Sequence, residues 1–144
     1  MNFETGKVLI VYDDLSDVCA FNKMLREGGV QDVQAVETAY EASKYMVGLF
    51  PFEQRSLPDL ILVDSSMPGQ SGFHFISSLK GNPLYRNIPL VAFSHTTEPS
   101  AKDQALKAGA NAYYEKTMGA EELQALVENL LSLNVPPESV VLQD

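Results

Sequence analysis

Three kinds of residue that could act together on a phosphoryl group stand at the ends of apolar runs in this chain. Asp13 and Asp14 follow or close the run at residues 8–12, Asp64 follows 60–63, Ser94 follows 88–93, and Lys116 follows the weaker run 110–114. Carboxylates are hard oxygen donors suited to Mg2+, which keeps several waters and bridges protein carboxylate to phosphate oxygens. A carboxylate such as Asp64 can also be the nucleophile at phosphorus, with a metal and an ammonium stabilising the charge on the equatorial oxygens. The product of that chemistry is an aspartyl phosphate. Each residue alone has an ordinary explanation: a strand-end Asp caps the next helix, Asp13-Asp14 makes a solvated turn, Ser94 bonds a strand end, and Lys116 is a surface lysine. Their conjunction, in order and at matching strand ends, favours the functional reading.

The elements that must position these groups are legible from two alternating periods. The apolar runs 8–12, 60–63, 88–93 and 110–114 read as strands buried on both faces, the habit of central parallel strands, and 33–37 as a more exposed edge strand. Helical spacing is clearest in Leu123, Leu126, Val127, Leu130 and Leu131, and recurs over 16–27 with Val18, Phe21 and Leu25 inward, 39–50, 72–80 and 100–108. Thr38 with Glu41 forms a capping-box signal, and Pro99 suits a first helical turn. Five strands alternating with five helices predict an α/β fold: a doubly wound parallel sheet with helices on both faces. In such a sheet the ligand site lies beyond the carboxyl ends of the strands, near the switch in strand order. The connection 51–58 is longer than the fold needs. The expected organisation is one domain over 1–133 and a C-terminal tail over 134–144, which contains Pro136-Pro137.

Composition narrows the function. With 144 residues there is room for one well-buried domain, and a hydrophobic share of 45% excludes a disordered chain. A formal net charge of -9 with no cluster of Lys or Arg argues against direct binding of nucleic acid or an anionic membrane. No apolar run approaches a membrane span, and no leader pattern opens the chain, so a cytoplasmic protein is expected. The single cysteine, Cys19, excludes a disulfide framework and a cysteine-based zinc site, and reads as a buried structural thiol.

The segment Pro58-Asp-Leu-Ile-Leu-Val-Asp64-Ser-Ser-Met-Pro-Gly-Gln-Ser-Gly72 resembles the phosphorylation-site motif of response-regulator receiver domains. The likeness continues through Ile88-Pro-Leu-Val-Ala-Phe-Ser94 and Lys107-Ala-Gly-Ala-Asn-Ala-Tyr-Tyr-Glu-Lys116, and covers residues 7–133. It implies a flavodoxin-like sheet of order 2-1-3-4-5, with Asp64 as phospho-acceptor and Mg2+ as cofactor. Carried over by position, Asp13 is an acidic metal ligand and Ser66 gives the metal its backbone carbonyl. Ser94 is the hydroxyl that follows the phosphoryl group, Lys116 the lysine that neutralises it, and Tyr113 the aromatic switch coupled to that hydroxyl. Such a protein is not an enzyme in the ordinary sense but a phospho-acceptor that promotes its own phosphoryl transfer and dephosphorylation. Its implied partners are a sensor histidine kinase and a downstream protein target, with homodimerisation left open. The long loop before the third strand and residues 11–18 are similar to single-domain regulators, some of which partner phytochrome-type kinases.

Three positions depart from that pattern. Tyr12 occupies the place of the first of two acidic residues, which is expected to weaken Mg2+ binding unless the strand end shifts by one residue and Asp14 completes the pair. His95 stands where a small residue is usual, and Thr117 replaces the proline after the lysine. A pseudo-receiver that binds protein without being phosphorylated is the nearest alternative. An Asp-nucleophile hydrolase would want an acid where Ser66 stands, and a flavin carrier would want a hydroxyl-rich loop where Asp13-Asp14-Leu15 stands.

Overall fold

The computed structural model describes residues 6–12, 14–27, 29–50, 53, 56–65, 72–94, 99–115 and 125. Five strands form one parallel sheet: β1 (Lys7–Val11), β2 (Asp32–Val36), β3 (Leu60–Asp64), β4 (Leu90–Ser94) and β5 (Ala112–Glu115), in the order β2-β1-β3-β4-β5. Four helices are described between them: α1 (Leu15–Glu27), α2 (Ala39–Val47), α3 (Gly72–Lys80) and α4 (Pro99–Ala108). Both the doubly wound class and the strand order agree with the sequence expectation. The helix expected around Leu123 to Leu131 lies outside the described residues.

The period of two along each strand divides the core into two layers. Leu9, Val11, Ile61, Val63, Leu90 and Ala92 face α2, α3 and α4, where Tyr45, Met46, Phe75, Ile76, Leu79 and Ala105 meet them. Val8, Ile10, Leu60, Leu62, Val91 and Phe93 face the opposite way, toward Phe21 and Leu25 of α1. All five residues of β3 and of β4 are buried, which is why those strands read as unbroken apolar runs. The edge strand β2 instead buries only Val36.

Local chemistry sets the helix ends. Thr38 caps α2, its hydroxyl accepting from the Glu41 N–H at 3.0 Å, while the Glu41 carboxylate accepts from the Glu37 N–H at 3.0 Å. The expected capping box is thus present, with its return bond made one residue further out. The spacing that predicted a helix to residue 50 overran. Gly48, at φ 76°, ends α2 by donating to Tyr45 O at 3.2 Å while Leu49 donates to Lys44 O at 3.0 Å. Leu49 and Phe50 are left exposed beyond it. Pro99 opens α4 as expected.

At the amino end of the sheet, the Lys7 N–H donates to Asp59 Oδ2 at 2.8 Å and its carbonyl accepts from the Asp59 N–H at 2.7 Å. The Lys7 ammonium lies 3.3 Å from Asp32 and over the Tyr45 ring, whose hydroxyl donates to Ser56 O. Burial pushes the Lys7 pKa down, but the Tyr45 hydroxyl and the Asp32 carboxylate outweigh it and hold it above the ordinary lysine value. The end of the long connection is therefore tied under β1.

Cys19 corrects the sequence reading: it is exposed. The inward stripe of α1 is set by Phe21 and Leu25, with Val18 and Met24 partly buried, and Cys19 falls one step off it. A helix assigns faces by angle, so an apolar neighbourhood in sequence does not bury a residue. Cys19 is therefore expected to react stoichiometrically with a thiol reagent in native buffer, at a rate close to that of the unfolded chain. Strong protection in the native state would return it to the core.

Candidate phospho-acceptor site

Strand register brings the candidate groups to one rim. Asp64 is the last residue of β3 and lies level with Phe93 of β4, while Val11 of β1 lies level with Val63. The Tyr12 N–H continues the ladder to Val36 O at 3.0 Å, so Tyr12 stands one step past Val11, level with Asp64. Ser94 ends β4 opposite Glu115, the residue before Lys116. Tyr113 lies level with Ala92 and packs, partly buried, against the α2–α4 layer, with its hydroxyl oxygen shielded from solvent. Ser94, two residues beyond Ala92, shares that face with Tyr113. Asp64 and Ser94 thus end neighbouring strands, and Tyr113 lies on the Ser94 face, two residues short of that end of the sheet. Asp13, Ser66 and Lys116, with His95 and Thr117, lie outside the described residues.

Asp64 is 4% exposed and Ser94 0%, polar groups at the ends of strands that are otherwise apolar. A nearly buried carboxylate at the end of a strand is the candidate reactive group at this end of the sheet. The chain leaves β3 through a tight exit. The Ser65 N–H donates to Phe93 O at 2.9 Å, and the Ser65 hydroxyl donates to the same oxygen at 3.3 Å. Gly72, the first residue of α3, packs directly on this exit. A Cβ there would lie 2.6 Å from Asp64 O and 2.7 Å from Ser65 Cα, closer than any side-chain carbon can sit to backbone. The last glycine of the Met67–Gly72 stretch is therefore required by close approach, a role its place in a Pro/Gly-rich turn did not reveal.

Tyr12 stands level with Asp64 but its ring belongs to the core. It is 2% exposed and meets Phe93 edge-on at 4.8 Å and Phe21 in a stacked arrangement at 6.4 Å, while Phe21 and Phe93 meet edge-on at 5.3 Å. Three rings from β1, α1 and β4 pack in one cluster on the α1 face. Asp14 lies two residues beyond Tyr12, where the chain enters α1. The Asp14 carbonyl accepts from the Val18 N–H at 2.9 Å, which puts Asp14 at the N-cap of α1, exposed to solvent. Donor chemistry still fits a hard divalent ion, since Asp64 and Asp13, the residue after Tyr12 in sequence, are carboxylates. Among the described residues, no group of three His, Cys, Asp or Glu side chains is close enough to hold a metal.

Comparison with known proteins agrees with the sheet. The sequence profile of the response regulator receiver domain matches residues 8–128. The phosphate regulon transcriptional regulatory protein PhoB of Escherichia coli is 29% identical over 127 residues, 87% of this chain and 51% of PhoB. This chain therefore spans about half the length of that relative. Among solved structures, the phosphorylated cyanobacterial phytochrome response regulator RcpA aligns with a TM-score of 0.80 at 24% identity, covering 92% of this chain and 99% of RcpA. The receiver domain of the sensor histidine kinase PA1611 from Pseudomonas aeruginosa, which carries a magnesium ion in its active-site cleft, aligns with a TM-score of 0.73 at 23% identity, over 89% of this chain and 98% of that one. With the profile running from β1 past Lys116, over most of its length, this chain belongs to the response regulator receiver domain family of two-component systems.

Proposed function

We propose that this chain works as a single-domain response regulator: it accepts a phosphoryl group on Asp64 from a sensor histidine kinase and signals by binding a downstream protein. The observation that carries the reading is the shielded Asp64 carboxylate, ending a wholly buried strand level with Tyr12 and Phe93 and beside the strand that ends in Ser94. In the proposed transfer an Asp64 oxygen attacks phosphorus, the bond from phosphorus to the donor histidine nitrogen breaks, and that nitrogen keeps the electron pair. An acyl phosphate results. Lys116 neutralises its added charge, and the Ser94 hydroxyl donates to a phosphoryl oxygen. Ser94 lies on the face of Tyr113, so a change at Ser94 frees or fills space beside that ring, and the surface around β5 carries the signal.

Asp13, Asp64 and the Ser66 carbonyl would hold Mg2+, which when bound offsets the negative charge gathered at the acceptor. The chain acts as a substrate that assists its own phosphorylation and dephosphorylation. A cytoplasmic setting fits a histidine-kinase partner, and no described helix is long and apolar enough to cross a membrane. The net charge of -9 disfavours direct nucleic-acid contact, so a protein target is the expected output, with homodimerisation open. The burial of Tyr12 favours one second reading, a pseudo-receiver in which the acid has been exchanged for packing and the fold binds protein without phosphorylation.

The two readings separate on labelling. Acetyl phosphate with Mg2+ is expected to add one phosphoryl group, seen by mass measurement, and Asp64→Asn to abolish it. An unlabelled wild type at saturating Mg2+ would establish the pseudo-receiver. Labelling that survives Asp64→Asn would move the acceptor elsewhere.

Two substitutions probe the rim. Gly72→Ala forces α3 away from Asp64 and Ser65, with an expected cost of about 1–3 kcal/mol in urea unfolding and slower labelling by acetyl phosphate. Unchanged stability and rate would show that the helix start yields freely. Tyr12→Asp restores the family's acid but empties the ring cluster. It is expected to tighten Mg2+ binding while costing about 3–5 kcal/mol of stability, the range for deleting a large buried aromatic side chain. An unchanged unfolding midpoint would place the ring outside the core.

A further inference from the structure

At the end of the sheet remote from Asp64, one lysine joins three segments. Lys80, the last residue of α3, donates from Nζ to Ile88 O at 2.7 Å and to Arg86 O at 3.1 Å, both in the connection to β4. It also donates to Asn111 Oδ1 at 2.9 Å, in the connection to β5. That same Asn111 oxygen accepts from the Leu90 N–H at 2.9 Å, while the Asn111 N–H donates to Leu90 O at 2.9 Å. One residue thus grips both backbone groups of Leu90, at the point where β4 and β5 begin to pair. The aliphatic stem of Lys80 meanwhile shapes the turn before Asn111. Gly109 has φ +120°, and a Cβ there would lie 2.6 Å from Lys80 Cγ and 2.8 Å from Lys80 Cβ.

What this grip sets is register. Pairing runs from Val91 level with Ala112 to Ser94 level with Glu115. A slip of one residue would turn Tyr113 to the α1 face, away from Ser94. β5 is short, at 4 residues, and is an edge strand in the described sheet, so its own ladder gives little resistance to slipping or fraying. A charged donor shared between carbonyls and a side-chain amide is stronger than a neutral bond and confines Asn111 to one position.

We infer that Lys80, acting through Asn111, is a positioning residue of the switch: it locks the β4–β5 register that puts Tyr113 on the face of Ser94. The role of Ser94 and Tyr113 as a switch rests on the function proposed above, whereas the lock itself does not. α3 completes the connection, since its first residue, Gly72, packs on Asp64 and Ser65 and its last holds the lock.

Amide hydrogen exchange resolved by residue tests the lock without phosphorylation. In Lys80→Met and in Asn111→Ala, exchange over Ala112 to Glu115 is expected to accelerate about tenfold more than exchange in β1 and β3. The double variant should be no worse than the worse single, because both remove the same lock. Uniform acceleration in all strands, or additive effects in the double variant, would overturn the inference by making Lys80 a general stabiliser. If Lys80→Met fails to fold, Asn111→Ala alone decides by the same comparison. In Lys80→Met, acetyl phosphate should still label Asp64 within about threefold of the wild-type rate, while the change in the Tyr113 ring signal on labelling falls by more than half. A full Tyr113 response would also overturn it. Absence of labelling in the wild type would instead sink the proposed function and leave the exchange result to judge the lock.

Discussion

Everything at the rim depends on register in a parallel sheet. Side chains alternate across a strand with a period of two, so a shift of one residue exchanges the two faces of that strand. Here the rows run Val11, Val63, Ala92 and Tyr113 across four strands, and then Tyr12, Asp64 and Phe93 one step later. Those rows decide that Ser94 and Tyr113 share a face and that Asp64 stands in a row with three aromatic residues, Tyr12, Phe93 and Tyr114. The apolar residues lower in each strand enforce the rows. Ile10 or Val63 turned to the wrong layer would lose a fitted partner, at a cost of order 1 kcal/mol or more per side chain.

A second constraint is the placement of a carboxylate at the end of a fully buried strand. Within β3 the side chains of Leu60 to Val63 are sealed between two helix layers, and Asp64 is the first polar side chain the strand admits. A charge one residue earlier, at the fully buried Val63, would be enclosed on all sides. The strand end is therefore where a carboxylate can be both rigid and reachable, provided the exit of the chain is also fixed. Ser65 and Gly72 supply that fixation, one through its bonds to Phe93 and the other by lacking a side chain where α3 meets the backbone.

Tyr12 shows how the same row can be used in two ways. An acid at that position adds charge to the rim, whereas the phenol ring turns into the α1 layer and packs with Phe21 and Phe93. Packing of this kind needs no ion to offset it, while a set of neighbouring carboxylates repels itself unless a cation is bound. The exchange shifts the rim from electrostatic toward apolar support, and it ties β1 to the residue immediately before Ser94. The remote end of the sheet is organised on the opposite principle, with the Lys80 ammonium holding polar oxygens that would otherwise need water.

Much was legible from the residues alone because it depends on short-range periodicity and on chemistry that side chains carry with them. Continuous apolar runs marked β1, β3 and β4, the i, i+3, i+4 spacing marked the helices, Thr38 and Glu41 marked the start of α2, and Asp64 and Ser94 followed from their places at strand ends. What tertiary structure decided is what depends on angle, distance and register between elements far apart in sequence. Cys19 sits among apolar residues yet lies outside the stripe that Phe21 and Leu25 define, and only docking of α1 on the sheet sets that stripe. Gly48 could have been an interior helix glycine until its left-handed backbone closed the turn. Gly72 reads as one more turn residue until α3 is laid against Asp64, and Tyr12 reads as a missing acid until Phe93 and Phe21 arrive from β4 and α1. Lys80 and Asn111, separated by 31 residues, carry no local sign of their bond. Sequence determines such a contact only through the whole fold, because the geometry that creates it exists only once α3, β4 and β5 have packed.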